Sequence, residues 1–285
     1  MTALSMPHPL LIEPFLREAL REDMGRAGDI TTDAIAPPGL TCRAEMVLRT
    51  PGRVAGVEVA RLVFAMVDPT VSFTAKVQDG TDVGPNTTVA VIEGSARAVL
   101  TGERVALNLL GRLSGIATLT QACVAKAAPF NTRVACTRKT TPGLRVLEKY
   151  AVRVGGGANH RFGLDDGILI KDNHIAVAGS ITEAVTRAKA AVGHMVKIEV
   201  EVDTLDQLRE LLAVGADAVL LDNMGPDLLR EAVALVDGRM ATEASGGITL
   251  DNLAEMAATG VDLVSLGFLT HGARSLDIGL DFTAG

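Results

Sequence analysis

The sequence predicts an α/β barrel preceded by a smaller α+β layer domain, and three observations predict it. From Arg133 onward, short aliphatic runs alternate with helical patterns, the grammar of parallel strands joined by helical crossovers. Nearly every one of those runs ends in polar residues: TRK after VAC, KDNH after ILI, then EVEVD, LLDN, EASGG and SLG. In a barrel the strand C-termini converge on one mouth, whereas an open doubly wound sheet spreads them along a crevice. Finally, 48% of the residues are hydrophobic but only 3% aromatic, with no Trp, so the core is aliphatic, as buried parallel strands require.

Element by element, a helix is expected from about Leu10 to Met24, with Leu11, Phe15, Leu16 and Leu20 near helical spacing. GDITTDAI supplies turn and cap residues. Strand-like pieces follow at Cys42 to Leu48, Val71 to Val77 and Thr88 to Ile92, separated by turn formers such as Asp79-Gly80 and Gly84-Pro85, with a helix over Glu58 to Val67. A long helical pattern runs from about Ala96 to Ala127, interrupted by Gly111 and Gly115, and places Arg104, Asn108 and Arg112 on one face.

The barrel strands are expected at Arg133 to Thr137, Gly167 to Ile170, Val196 to Val202, Ala218 to Leu221, Ala241 to Ala244 and Leu263 to Leu266, with helices between them. Leu276 to Phe282 alternates like a strand with no helix after it, a segment able to return to the first domain. The chain divides on this reading into 1–115 (α+β layers and the start of the long helix), 116–272 (the barrel) and 273–285 (the tail).

Bulk properties exclude several classes. A formal net charge of -7 argues against a general polyanion-binding surface, and the scarcity of aromatics against base stacking, so no nucleic-acid partner is expected. The apolar N-terminus is broken by Pro7, Pro9, Glu13 and Pro14, and no run reaches membrane-spanning length. Cys42, Cys123 and Cys136 form no CxxC pair. Structural thiols in a cytoplasmic protein are the expectation.

Within this acidic chain one stretch inverts the charge. Between Arg133 and Arg161 stand Arg133, Arg138, Lys139, Arg145, Lys149, Arg153 and Arg161, with Glu148 the only acid. Arg145, Lys149 and Arg153 fit a solvated helix face. Arg138, Lys139 and Lys171 sit instead at strand ends, pointing into the mouth. Unpaired cations crowded into a pocket cost several kcal/mol, so the ligand must carry several carboxylates, phosphates or both. His160, beside Arg161, belongs with this group, while His174 reads equally as a cap or as a ligand.

The acids complement the cations. Glu199, Glu201 and Asp203 alternate along one strand and share a face, and Asp222 closes the next. Carboxylates beside cations suit a Mg²⁺-bound phosphate substrate, although Glu199 fits an internal ion pair equally well. No HxH or HExxH spacing calls for zinc. Ser245-Gly246-Gly247 and Gly267-Phe268, in consecutive late units, offer backbone N–H groups for a phosphate. Gly155-Gly156-Gly157 reads as a flexible connection more than as another cradle.

CTRKTTPGLRVLEKYAVRVGGGANHRFGLDDGILIKDNH resembles the signature of the quinolinate phosphoribosyltransferase family, as do EDMGRAGDITT, GERVALNLLGRLSGIAT, EVEVDTLDQL, LLDNM, ASGGI and LTHGARSLDIGLDF. The resemblance covers nearly the whole chain. It implies an N-terminal α+β sandwich, a seven-stranded, partly open α/β barrel, and a homodimer or larger homo-oligomer with shared active sites. The implied reaction joins quinolinate to phosphoribosyl pyrophosphate, with Mg²⁺, giving nicotinate mononucleotide, pyrophosphate and CO₂. By the resemblance, Thr137, Arg138, Lys139, His160, Arg161 and Lys171 meet quinolinate, and Arg104 arrives from the neighbouring subunit. Glu201 and Asp222 hold the Mg²⁺–pyrophosphate and ribose end, directly or through water, and act in catalysis with Lys139 and Lys171. Ser245, Gly246, Gly247, Leu266, Gly267 and Phe268 cradle the 5′-phosphate. Cys136 departs from the pattern, standing where many members have Asp before TRKT. The alternatives are a nicotinate-using phosphoribosyltransferase of the same fold, the paralogous molybdenum-transport accessory group, and a non-catalytic phospho-ligand barrel.

Overall fold

The computed structural model describes residues 5–283; residues 1–4 and 284–285, the outer ends of the first and last segments delimited above, lie outside the described residues. The chain forms two compact units. One holds the chain through Gln121, Thr140–Gly156 and everything from Leu269; the other holds Ala122–Lys139 and Gly157–Phe268.

The first unit opens with α1 (Pro9–Met24) and α2 (Ile30–Ile35). Asp29 caps α2 by accepting the Thr32 N–H at 2.9 Å, as its cap-rich sequence predicts. The buried stripe of α1 is Ile12, Leu16 and Leu20; of the expected face, Leu16 and Leu20 are buried, Phe15 is half-buried and Leu11 is exposed. Next come β1 (Thr41–Leu48), β2 (Gly52–Arg53), α3 (Val57–Val67), β3 (Ser72–Ala75), β4 (Asp82–Val83), β5 (Thr87–Ser95) and α4 (Ala96–Ala127).

Beyond α4 lie β6 (Arg133–Ala135), α5 (Arg145–Val154), β7 (Ile168–Ile170), α6 (Asp172–Ala178), α7 (Ile181–Ala191), β8 (Ile198–Val202), α8 (Leu205–Val214) and β9 (Ala218–Asp222). The chain ends with α9 (Pro226–Val236), β10 (Ala241–Ser245), α10 (Leu253–Ala257), β11 (Leu263–Ser265), α11 (Phe268–His271) and β12 (Ile278–Thr283).

In the first unit the antiparallel sheet runs β12-β1-β5-β3, so the tail does return, pairing with β1. Arg49 and Asp281 clasp these two strands with bonds of 3.1 and 2.5 Å. α4 is continuous through Gly111 and Gly115, contrary to the expected interruption. These glycines serve close packing: a Cβ at Gly111 would lie 2.8 Å from the Leu276 carbonyl oxygen, and one at Gly115 would run into that of Arg274.

α5 also overturns an expectation. Its cations do not form a solvated face, because Leu147, Tyr150, Ala151, Val152 and Val154 bury most of the helix. Lys149 is fully buried and Arg145 and Arg153 half-buried. Neighbouring Glu148, also fully buried, accepts from Arg112 Nε and Nη2 at 3.1 and 2.9 Å and from the Thr141 N–H and hydroxyl at 3.0 and 2.8 Å. Gly155 is no slack hinge either: a Cβ there would clash with Thr120 and the Ala117 carbonyl oxygen.

The second unit is built on a parallel sheet of order β6-β11-β10-β9-β8-β7, all six strands lying where the sequence places them. Among the described residues β6 and β7 do not pair, so the sheet stays open at that seam. Where the resemblance implies a seventh strand, a single parallel bridge joins Ala158 to Ala135 of β6.

Candidate active site

Strand register decides which side chains share the inner face of the second unit. Leu169 pairs with Glu199, Glu199 with Ala218, and Glu201 and Glu243 each with Leu220. Asp222 pairs with Ser245. Because side chains alternate along a strand, Glu199, Glu201, Asp222, Glu243 and Ser245 all share one face, and their contacts divide them into two groups. An upper floor at the strand C-termini carries Lys171, Glu201, Asp222 and Ser245. A lower floor, defined by nearness to His160, carries Glu199 and Glu243.

On the upper floor the Lys171 ammonium bonds directly to the Glu201 carboxylate. Burial, together with the charges of Glu201 and Asp203, raises the Asp222 pKa above the usual carboxylate range, while Lys171 and Lys139 pull it down. The mouth therefore brings Lys139, Lys171, Glu201, Asp203 and Asp222 within electrostatic reach of one another. Negative charge at Asp222 is destabilised, which is the condition under which a carboxylate gains most from a cation.

Thr137, Arg138 and Lys139 follow β6. The Thr137 hydroxyl accepts the Lys139 N–H at 3.0 Å and holds the turn. Buried Cys136 donates through Sγ to Asn159 Oδ1 at 3.2 Å, so the residue that departs from the family pattern ties β6 to the segment before His160. Arg138 is half-buried, and its Nε is buried with no hydrogen-bond partner. Arg161 donates through Nη1 to the Gly167 carbonyl at 2.8 Å. Burial and the nearby Arg138 charge lower the Arg161 pKa, as expected for two cations in one pocket.

Arg138, Arg161 and Lys171 line one cavity of about 620 Å³, together with His174, Arg187 and all three residues of β7. His174 acts as a helix cap here: its Nδ1 accepts the Lys171 N–H at 2.9 Å at the start of α6.

The lower floor holds a group only partly legible from the sequence. His160 Nε2 lies 2.8 Å from Glu199 Oε2 and 3.7 Å from Glu243 Oε1, and His160 Nδ1 lies 2.7 Å from the Arg161 amide nitrogen. Glu199 thus pairs with a histidine and not with a barrel lysine. Glu243 is buried, and burial with the adjacent Glu199 charge pushes its pKa up to about 7 against the opposing influence of His160. Glu243 was missed because EASGG reads first as a glycine turn. Its signal was parity with Ser245 two residues on.

At the phosphate-cradle candidates, Gly246 and Gly247 both have positive φ, +86° and +62°, in the turn after β10. A Cβ at Gly246 would collide with the Asn223 side chain. Leu266 is buried, its N–H donating to the Ala135 carbonyl at 2.9 Å, and Gly267 and Phe268 follow it half-buried. Arg104 belongs to the other unit and is exposed on α4, as is Asn108. Arg112, expected on the same face, is instead engaged with Glu148.

Comparison with known proteins supplies the family context. Models of the quinolinate phosphoribosyl transferase N-terminal and C-terminal domains match residues 29–114 and 116–281. The chain is 48% identical over 274 residues to the probable nicotinate-nucleotide pyrophosphorylase [carboxylating] of Bacillus subtilis, covering 96% of this chain and 94% of that one. It is 45% identical to the nicotinate-nucleotide pyrophosphorylase [carboxylating] of Mycobacterium leprae, covering 93% and 95%. Among solved structures, NadC from Streptococcus pyogenes superposes with a TM-score of 0.93 at 41% identity, covering 98% and 99% of the two chains.

Proposed function

The chain belongs to the quinolinate phosphoribosyltransferase family, and from that premise we propose how its site carries out the family's reaction. The reaction transfers phosphoribose from phosphoribosyl pyrophosphate to quinolinate and decarboxylates the adduct, yielding nicotinate mononucleotide, pyrophosphate and CO₂. One observation carries the assignment of residues. Arg138, Arg161 and Lys171 line one cavity in a protein of net charge -7, and Lys171 joins it to the carboxylates by bonding Glu201 within electrostatic reach of Asp222.

Arg138, Lys139, Arg161 and Lys171 receive the two carboxylates of quinolinate and orient its ring nitrogen toward ribose C1. As the C1–O bond to pyrophosphate breaks and the C1–N bond forms, positive charge grows on the sugar. Glu201 and Asp222 face that charge and favour it. The product pyridinium draws in the electron pair of the C2–carboxylate bond, so CO₂ leaves and C2 takes a proton. No side chain serves as a covalent nucleophile. Ser245–Gly247 and the main chain at Leu266–Phe268 hold the 5′-phosphate.

Glu201 and Asp222 are hard oxygen donors suited to Mg²⁺, and the surplus of negative charge around Asp222 fits that ion. Bound there, directly or through water, Mg²⁺ would neutralise the leaving pyrophosphate. The protein acts as a homodimer or larger assembly in which Arg104 completes the neighbour's pocket. Exposed Ile30, Ile35, Leu40 and Leu100 on the Arg104-bearing unit supply apolar surface for such a contact. The cytoplasm is the proposed location, in keeping with free thiols at Cys42, Cys123 and Cys136. Among the described residues no helix is long and apolar enough to cross a membrane.

A nicotinate-specific site would need fewer cations than this one holds. Incubation with phosphoribosyl pyrophosphate, Mg²⁺ and carboxyl-labelled quinolinate should release labelled CO₂ and nicotinate mononucleotide. Nucleotide formation from nicotinate but not from quinolinate would overturn the assignment.

A further inference from the structure

His160, Glu199 and Glu243 place a ring nitrogen and two carboxylate oxygens within 4.8 Å of one another. Two readings compete for this trio: a divalent cation site, or a hydrogen-bonded support. The Arg161 main chain decides between them. Its N–H can only donate, and it points at His160 Nδ1 from 2.7 Å, so Nδ1 carries a lone pair. In an uncharged imidazole the single ring proton is then on Nε2, the atom that faces Glu199 at 2.8 Å. A protonated Nε2 has no lone pair for a metal. Nor does either nitrogen remain to grip a substrate carboxylate.

Arg161 is held on several sides. The His160 ring accepts its main-chain N–H, and Gly167 accepts from its guanidinium at 2.8 Å. Asp166 clamps the following loop through the N–H groups of Phe162 and Gly163 at 2.6 and 2.9 Å. Glu199 stands on β8, so the ring anchors this loop to that strand of the sheet.

We propose that His160 is a positioning residue, fixed as the Nε2–H tautomer between Glu199 and the Arg161 main chain, and that it supports quinolinate binding only through Arg161. The inference deepens the quinolinate reading and rests on it for the ligand, but the tautomer is measurable on the free protein.

Nitrogen-15 NMR of ring-labelled histidine, with the His160 signals assigned by their loss in His160→Asn, should show the Nε2–H form between pH 6 and 8. Saturating quinolinate should leave it unchanged. An Nδ1–H ring, a ring that becomes imidazolium on adding quinolinate, or a metal-shifted Nε2 on adding Zn²⁺ would each overturn the proposal. Calorimetric titration with quinolinate gives a second test. His160→Asn should weaken binding about tenfold in the parent protein but less than twofold in an Arg161→Ala background. Multiplicative losses would mean direct contact with the ligand and sink the idea. If Arg161→Ala binds too weakly to titrate, or His160→Asn fails to fold, the ring spectrum of the unaltered protein decides alone, its five histidines assigned by sequential connectivity. Failure of the parent protein to bind quinolinate would refute the functional reading, while the tautomer still stands or falls by itself.

Discussion

Glu243→Gln should make the protein more stable, and by an amount that grows with pH. Glu243 is buried beside Glu199, and its pKa rises from 4.5 to about 7 on folding. Between those values the native state holds a proton that the unfolded chain has released, so unfolding free energy falls as pH rises through this window and levels off above it. Integrating that difference, the cost of keeping Glu243 is small at pH 5, grows through pH 6 and 7, and levels off at roughly 3 kcal/mol above pH 8. Glutamine preserves the shape and cannot ionise, so it relieves the cost where it exists. Urea unfolding of both proteins at several pH values measures it. Circular dichroism is the suitable signal, because the chain has one Tyr and no Trp. A stability difference that stays flat from pH 5 to 8.5 would refute the claim that burial and Glu199 raise this carboxyl.

Four further outcomes follow from other parts of the structure. Arg161→Ala should lower kcat/KM for quinolinate at least about a hundredfold, the loss of charge-assisted bonds worth about 3 kcal/mol, with an unchanged circular dichroism spectrum. Mixed with Arg104→Ala, it should recover part of its activity in verified heterodimers if Arg104 is supplied across subunits, and no recovery would count against that supply. Glu148→Ala should cost about 3–5 kcal/mol by denaturant titration, since it strips a buried partner from Arg112. Gly115→Ala should lower stability by about 1–3 kcal/mol or more, because its methyl group meets the Arg274 carbonyl oxygen, and an unshifted thermal midpoint would contradict that packing.

Most of the architecture was legible because period and punctuation agreed. Each barrel strand is a short aliphatic run closed by polar residues, and the same rule located Lys171, Glu201, Asp222 and Ser245 at the mouth. What the sequence concealed depends on neighbours far along the chain. Gly111 and Gly115 read as helix breakers, since nothing local reveals that the backbone at Arg274 and Leu276 will lie against them. Lys149 reads as solvated because composition cannot show that its helix will be enclosed. Arg112 shares its periodicity with Arg104, yet its partner is Glu148, 36 residues away.

The pairing of β12 with β1 has a consequence for how the molecule is made. Arg49 and Asp281, which face each other across that seam, are separated by 232 positions in the chain. During synthesis, β1 and β5 leave the ribosome well before β12, the strand that covers the outer side of β1. The six strands of the parallel sheet all emerge in the interval. Until β12 emerges, β1 therefore presents a bare hydrogen-bonding edge, the kind of template that recruits other nascent chains. A premature stop before Ile278 would make that exposure permanent, so loss of β12 should promote aggregation.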